Sequence, residues 1–172
     1  IIIGSTNFDE TNSNYNWNKN IFIGGVSGEL FLNDNSSSFS NNSILSGGTL
    51  QLGMYLDANA NQDVFFSHNL FSSGSDVGIE INGNWVPQLV SDNLKIVENN
   101  FLTNISVRAM ISDLSIENNY WGTVIDSEIQ DMISDWNDDA SLGVLDYNPW
   151  LNAPNTDAPI SPPHNVTISA SP

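Results

Sequence analysis

One short pattern recurs four times along this chain. It reads Phe39-Ser40-Asn41-Asn42-Ser43-Ile44, Phe66-Ser67-His68-Asn69-Leu70-Phe71, Val97-Glu98-Asn99-Asn100-Phe101-Leu102 and Ile116-Glu117-Asn118-Asn119-Tyr120-Trp121. Each copy runs apolar, polar, Asn or His, Asn, any residue, apolar, and the fixed Asn advances by 27, 31 and 19 residues. A unit this small cannot bury its apolar side alone, so copies must stack and equivalent residues must form columns.

Short strands punctuated by Asn-rich turns at this period predict a parallel β-helix. Strands are expected at Ile1–Ile3, Ile21–Ile23, Glu29–Leu32, Thr49–Leu56, Val64–Phe66, Val77–Ile81, Leu94–Val97, Ser106–Ile111 and Leu114–Ile116. Their apolar residues alternate, as in Leu50, Leu52 and Met54. Phe39, Phe66, Val97 and Ile116 are expected to fill an interior column. Asn42, Asn69, Asn100 and Asn119 are expected to form an amide ladder at one corner. Asn82-Gly83 could instead turn a hairpin, which keeps an antiparallel sandwich as the rival fold. A sandwich gives no reason to repeat one residue type at one turn. The uneven spacing places loops between coils, the longest around 83–93 with Trp85.

Composition supports frequent turning. The chain of 172 residues holds 26 Asn, a residue that bonds nearby backbone and tolerates left-handed φ. Three Lys and Arg against 20 Asp and Glu give a net charge of −17. A nucleic-acid partner needs a basic surface, which this chain lacks. Anionic lipid and polyanionic substrates are disfavoured by the same repulsion. There is no Cys, hence no disulfide and no thiolate metal site. No apolar run approaches the roughly 18 residues of a membrane span. The start at Ile1, without Met, reads as a piece of a longer protein.

Three regions are expected: coils over 1–125, a cap over 126–151, and a linker leading into a further domain over 152–172. In 126–141, Ile129, Met132, Ile133 and Trp136 follow at helical spacing, with Asp131, Asp135, Asp138 and Asp139 opposite. This predicts one amphipathic helix that covers the open end of the stack. Acidic residues near its C-terminus oppose the helix dipole, so packing must hold it. Pro and Ala dominate 152–163, and Asn165–Pro172 reads as the first strand of the next domain.

Asn118-Asn119-Tyr120-Trp121-Gly122-Thr123, the helix with Ile129 and Asp135-Trp136, and Asp146-Tyr147-Asn148-Pro149-Trp150-Leu151 together resemble the end of right-handed parallel β-helix repeat proteins. The resemblance covers roughly 39–151. It implies an all-β, right-handed parallel β-helix solenoid with a short C-terminal capping α-helix, in an extracellular or cell-surface setting. Its members include polysaccharide lyases, hydrolases, adhesins and non-catalytic binding segments, so membership alone selects none of these. The tail Pro162-Pro163-His164-Asn165-Val166-Thr167-Ile168 is similar to the lead-in of fibronectin type III modules.

Catalytic candidates are sparse. A lyase needs a cation and a base, and only Lys19, Lys95, Arg108 and His68 are at hand. Glu98 and Glu117, read at one repeat position on neighbouring coils, form the best carboxylate pair for hydrolysis. Solvated surface is the blander reading of both, and no catalytic residue is assigned. Asp57, Asn59, Asn61 and Asp63 alternate as calcium ligands do, but no Gly follows Asn61 and no Glu closes the loop. A turn without an ion is the simpler reading, and no cofactor is required. His68 continues the polar column. Tyr15, Trp17 and Trp85 lie in Asn-rich segments where an aromatic ring could stack on a sugar. The resulting expectation is a non-catalytic scaffold, adhesive or carbohydrate-binding segment of a secreted protein, with polysaccharide or cell-surface glycan and its own neighbouring domains as partners. The alternative is the C-terminal part of a β-helix lyase or glycoside hydrolase.

Overall fold

The structure is a computed structural model that describes residues 2–3, 16–23, 28–33, 38–45, 48–55, 64–72, 77–82, 94–102, 105–108 and 113–160. It is all-β in class, with one short helix among the described residues. Sheet 1 orders β1 (Ile2–Ile3), β3 (Ile21–Ile23), β6 (Ser43–Ile44), β9 (Leu70–Phe71) and β12 (Asn100–Phe101). Sheet 2 orders β4 (Gly28–Asn33), β7 (Gly48–Tyr55), β10 (Val77–Asn82), β13 (Ile105–Arg108) and β15 (Ile133–Ser134). Sheet 3 orders β2 (Asn16–Asn18), β5 (Ser38–Ser40), β8 (Val64–Ser67) and β11 (Leu94–Val97). A last pair joins β14 (Leu114–Ser115) to β16 (Leu145–Asp146).

Every described strand pair is parallel. Parallel pairing needs a crossover between neighbours, which an antiparallel sandwich built from hairpins does not supply. From β2 to β13 the chain visits sheet 3, sheet 1 and sheet 2 in that order, four times over. Strands one circuit apart therefore become neighbours. The arrangement is compatible with a β-helix-like fold.

The repeat sits where the chain passes from sheet 3 to sheet 1, but its register differs from the sequence alignment. Ile96, not Val97, pairs with Phe66, and Asn99, not Asn100, meets Asn69. Ile96 is buried and Val97 half-buried. Side chains alternate faces along a strand, so a one-residue slip exchanges inside for outside. The tandem Asn99-Asn100 hid the slip, because either could be the ladder residue. Correct registration also adds a fifth copy, Trp17-Asn18-Lys19-Asn20-Ile21-Phe22, in which Trp17 pairs with Phe39.

The ladder now runs Asn20, Asn42, Asn69, Asn99 and Asn119. At Asn42, the backbone N–H and side-chain Nδ2 both donate to Asn69 Oδ1, at 2.9 and 3.1 Å. Nδ2 also donates to Trp17 O at 3.0 Å, and Asn42 Oδ1 accepts from Asn20 N and Nδ2 at 2.9 and 3.1 Å. Asn69 and Asn99 repeat the scheme, reaching back to Phe39 O and Phe66 O. An amide offers two donors and two acceptor sites, and at Asn42 all four are used. Such saturation is what permits Asn42, Asn69, Asn99 and Asn119 to be fully buried.

The turn that presents each ladder Asn is left-handed. Lys19, Asn41, His68, Glu98 and Asn118, each one residue earlier, have φ between 56° and 61°. Only two are Asn, the non-glycine residue that adopts this region most readily, so the ladder holds the others there. Inside, rings stack along the axis of the repeats. Phe39 and Phe66 lie 5.2 Å apart and 7° from parallel, and the series continues through Phe71 and Phe101 to Trp121. Offset aromatic contacts of this kind add to plain area burial. Gly122 closes the series at φ +76°, where a Cβ would stand 3.0 Å from Phe101 O.

The end of the fold departs from the predicted cap helix. The helix α1 covers only Asp126–Gln130. Ile133 then enters β15, and Trp136 is 54% exposed rather than packed in an apolar stripe. The sheet takes the chain after the stop, since Ile133 and Ser134 pair with Val107 and Arg108 of β13, and beyond it the carboxylate of Asp135 keeps helix from resuming. Its Oδ1 accepts from Asn137 N and Nδ2 at 2.9 and 3.0 Å, and its Oδ2 from Leu145 N at 3.1 Å. Asp side chains that capture nearby backbone N–H groups compete with helix, and here the turn wins.

Residues 152–160, read from composition as linker, bond back to the sheets. Asn155 N donates to Asn100 Oδ1 at 2.7 Å, and Asn100 Nδ2 donates to Asn155 O and Pro159 O, both at 3.0 Å. Ala158 is buried. Asn100, displaced from the ladder, is thus the clasp for this segment.

Two variants test these roles. Asn69→Ala leaves Asn42 N and Nδ2 without their acceptor, and should destabilise the chain by about 3 kcal/mol in urea unfolding. Asn20→Ala, at the half-exposed end of the ladder, should cost about 1 kcal/mol or less. Equal losses would refute a ladder whose strength depends on burial. Asn100→Ala should speed hydrogen exchange at the Asn155 amide about tenfold, the factor that about 1.4 kcal/mol produces; unchanged exchange would show the clasp to be idle.

Candidate functional site

The left-handed turn column presents side chains of varied chemistry on successive circuits. Its members Lys19, Glu98 and Asn118 are exposed, and Asn41 and His68 half-buried. On neighbouring circuits, His68 Nε2 lies 2.9 Å from Glu98 Oε2. The next circuit places Asn118 beside Glu98, whose backbone N–H donates to Asn118 O at 2.9 Å. There the column meets the returning segment. Glu98, Asn118, Leu151, Asn152, Ala153, Pro154, Asn155 and Thr156 line an open cleft of about 430 Å³.

The cleft walls are fixed by hydrogen bonds. Leu151 N donates to Asn119 O, and Asn118 N to Pro149 O, so 149–151 lies alongside the last ladder turn. Asn155 Nδ2 donates to Glu98 O at 3.0 Å, and its Oδ1 accepts from Asp157 N. The Glu98 carboxylate is steadied from outside the cleft by His68. What remains is a mixed surface of amides, a hydroxyl and one carboxylate, broken by Leu151, Ala153 and Pro154. Such a surface can accept and donate hydrogen bonds to a polar ligand while covering its apolar parts.

The sequence-derived candidates fall elsewhere. Trp17 lies in β2, in register with buried Phe39, with its ring 6.2 Å from Phe22. It remains partly exposed. Tyr15, Trp85 and the run Asp57, Asn59, Asn61 and Asp63 lie outside the described residues. Glu98 and Glu117 do not share a position. Ladder registration aligns Glu98 with Asn118 and Glu117 with Val97, again the one-residue slip. Among the described residues no three His, Asp or Glu gather as a metal group, and no helix is long and apolar enough to cross a membrane.

The structure adds groups that the sequence reading passed over. Asn118, Asn152 and Thr156 had no motif of their own. The position one before each ladder Asn could have revealed Asn118 once the register was right. A second polar cluster lies at the cap, where Tyr147 OH donates to Asp126 Oδ1 at 2.9 Å. Burial, the bond to Asp126 and the charges of Asp126, Asp135 and Asp146 push the Tyr147 phenol from 10.0 up to about 12.

No family model, no curated protein and no solved structure matches this chain.

A titration checks the cap. Because the folded state holds the Tyr147 proton more tightly than the unfolded one, its contribution to stability is complete below pH about 10. It is lost as pH rises through about 12. Tyrosinate absorbance should show one of the four tyrosines ionising near pH 12, and Asp126→Asn should move that step toward 10. A step unmoved by Asp126→Asn would disprove the coupling.

Proposed function

We propose that this chain is a right-handed β-helix segment of a secreted or cell-surface protein. Its work is to hold and present a surface, as a structural or adhesive scaffold whose partner is a glycan. The observation that carries this reading is where the repeat spends its polar groups. Amide bonds link successive ladder positions from Asn20 to Asn119, so the repeated Asn serves architecture. Variation is left to the turn column and the segments between strands. A parent chain with further domains suits such a rigid spacer, and calcium remains the cation that the run Asp57 to Asp63 would take.

One observation favours the alternative, a segment of a polysaccharide lyase or glycoside hydrolase. His68 and Glu98 are acid–base groups in contact at the rim of a cleft. The two readings separate in one assay. The purified chain is applied to a glycan array with and without calcium, and the same glycans are assayed for newly released reducing ends. Binding without release is the expected result. Release of product that His68→Gln abolishes would overturn the scaffold reading and establish the enzyme.

A further inference from the structure

We infer that the cleft between the turn column and residues 151–156 is a binding site for a neutral oligosaccharide. The inference rests on the glycan-presenting reading above and narrows it to one site and one ligand class.

Size and lining come first. About 430 Å³ lies within the range of small-ligand sites, roughly 300–1,000 Å³. Sugars present hydroxyl groups around an apolar ring face. The cleft offers the complement: a carboxylate at Glu98, amides at Asn118 and Asn152, a hydroxyl at Thr156, and C–H surface at Leu151, Ala153 and Pro154. Within the described residues no hydrogen bond uses the side-chain amides of Asn118 or Asn152. His68 engages only Oε2 of Glu98, so Oε1 is left to accept from a ligand hydroxyl.

Preorganisation comes second. Both Glu98 and Asn118 sit at left-handed turns, φ 61° and 57°, fixed by the buried ladder behind them. Asn155 ties the opposite wall to Glu98 O. Groups already held in place lose little freedom when a ligand arrives.

Charge selects the ligand class. All three basic side chains, Lys19, Lys95 and Arg108, precede residue 109, whereas half of the 20 acidic residues follow it. A uronate or sulfated sugar would meet a carboxylate and no cation in the cleft lining, within a chain of net charge −17. A single carboxylate also falls short of the six to eight oxygens that calcium takes. A neutral sugar is the class that meets neither objection.

The test is isothermal titration of the full chain with neutral gluco-, manno-, xylo- and galacto-oligosaccharides and with matched oligo-uronates. Binding of at least one neutral series and of no uronate is expected. Glu98→Gln should weaken it about tenfold, as loss of a hydrogen bond to a charged acceptor does. Asn118→Gly, which keeps the left-handed turn, should weaken it about fivefold. His68→Gln should cost about threefold, because it releases the carboxylate without removing it. Thermal unfolding of each variant guards against misfolding, and Asn152→Ala, at an exposed position, supplies a variant remote from the ladder. Neutral-sugar binding that ignores all four substitutions would overturn the cleft while sparing the glycan reading. Preference for uronates would overturn the ligand class. No binding to any oligosaccharide would overturn both.

Discussion

The saturated amide is the interaction on which the rest depends. A buried side-chain amide without partners costs several kcal/mol, and a stack of them would be prohibitive. Here each interior Asn lends its Oδ1 to two donors from the circuit before. It spends its own donors on the circuit after and on a backbone carbonyl behind. The penalty is cancelled pairwise, and what remains is a directional link between circuits. Hydrophobic stacking cannot supply that link alone. Phe22, Phe39, Phe66, Phe71 and Phe101 exclude water, but ring contacts tolerate sliding. The ladder removes that freedom, because a shift of one residue would break three bonds between each pair of interior circuits.

Holding the corner this tightly has a consequence on the outside. The residue before each Asn is forced into left-handed φ whatever its type, which is why Lys, His and Glu occupy a conformation they would otherwise avoid. The cost of order 1 kcal/mol at each such residue is carried by the amide bonds next to it. In exchange the side chains project at a fixed place on successive circuits, one strand spacing apart. That spacing brings His68 against Glu98. The candidate site is thus a by-product of the same geometry that stabilises the core.

The sequence disclosed the repeat, the parallel class and the interior places of Phe39, Phe66 and Ile116, because burial and period leave direct marks in residue type. It misplaced the third copy, where Val97 and Ile96 are equally apolar and Asn99 and Asn100 identical. Only the two neighbouring circuits together decide which Asn turns inward, and that information is not local. The helix falls short of its expected length for a related reason. Ile129, Met132, Ile133 and Trp136 do have helical spacing, yet spacing says nothing of the sheet edge at Val107 and Arg108 that takes up Ile133 and Ser134. The cleft was hidden most fully, since one wall came from turn residues, Glu98 read as solvated surface and Asn118 given no role, and the other from a segment read as linker.

Ladder spacings of 22, 27, 30 and 20 residues differ widely, yet the side-chain amide bonds stay between 3.0 and 3.1 Å. Loop length is therefore not transmitted to the corner. Closing a longer loop costs little, about 0.6 kcal/mol for each doubling, whereas a misplaced amide costs several times that. Segments between the strands are free to lengthen so long as the corner returns to register. The far sheet keeps step as well, since β4, β7, β10 and β13 pair in continuous parallel register, so the variation in length falls on the segments between strands. Beside the ladder, the backbone that carries Glu98 and Asn118 keeps its place however long those segments are.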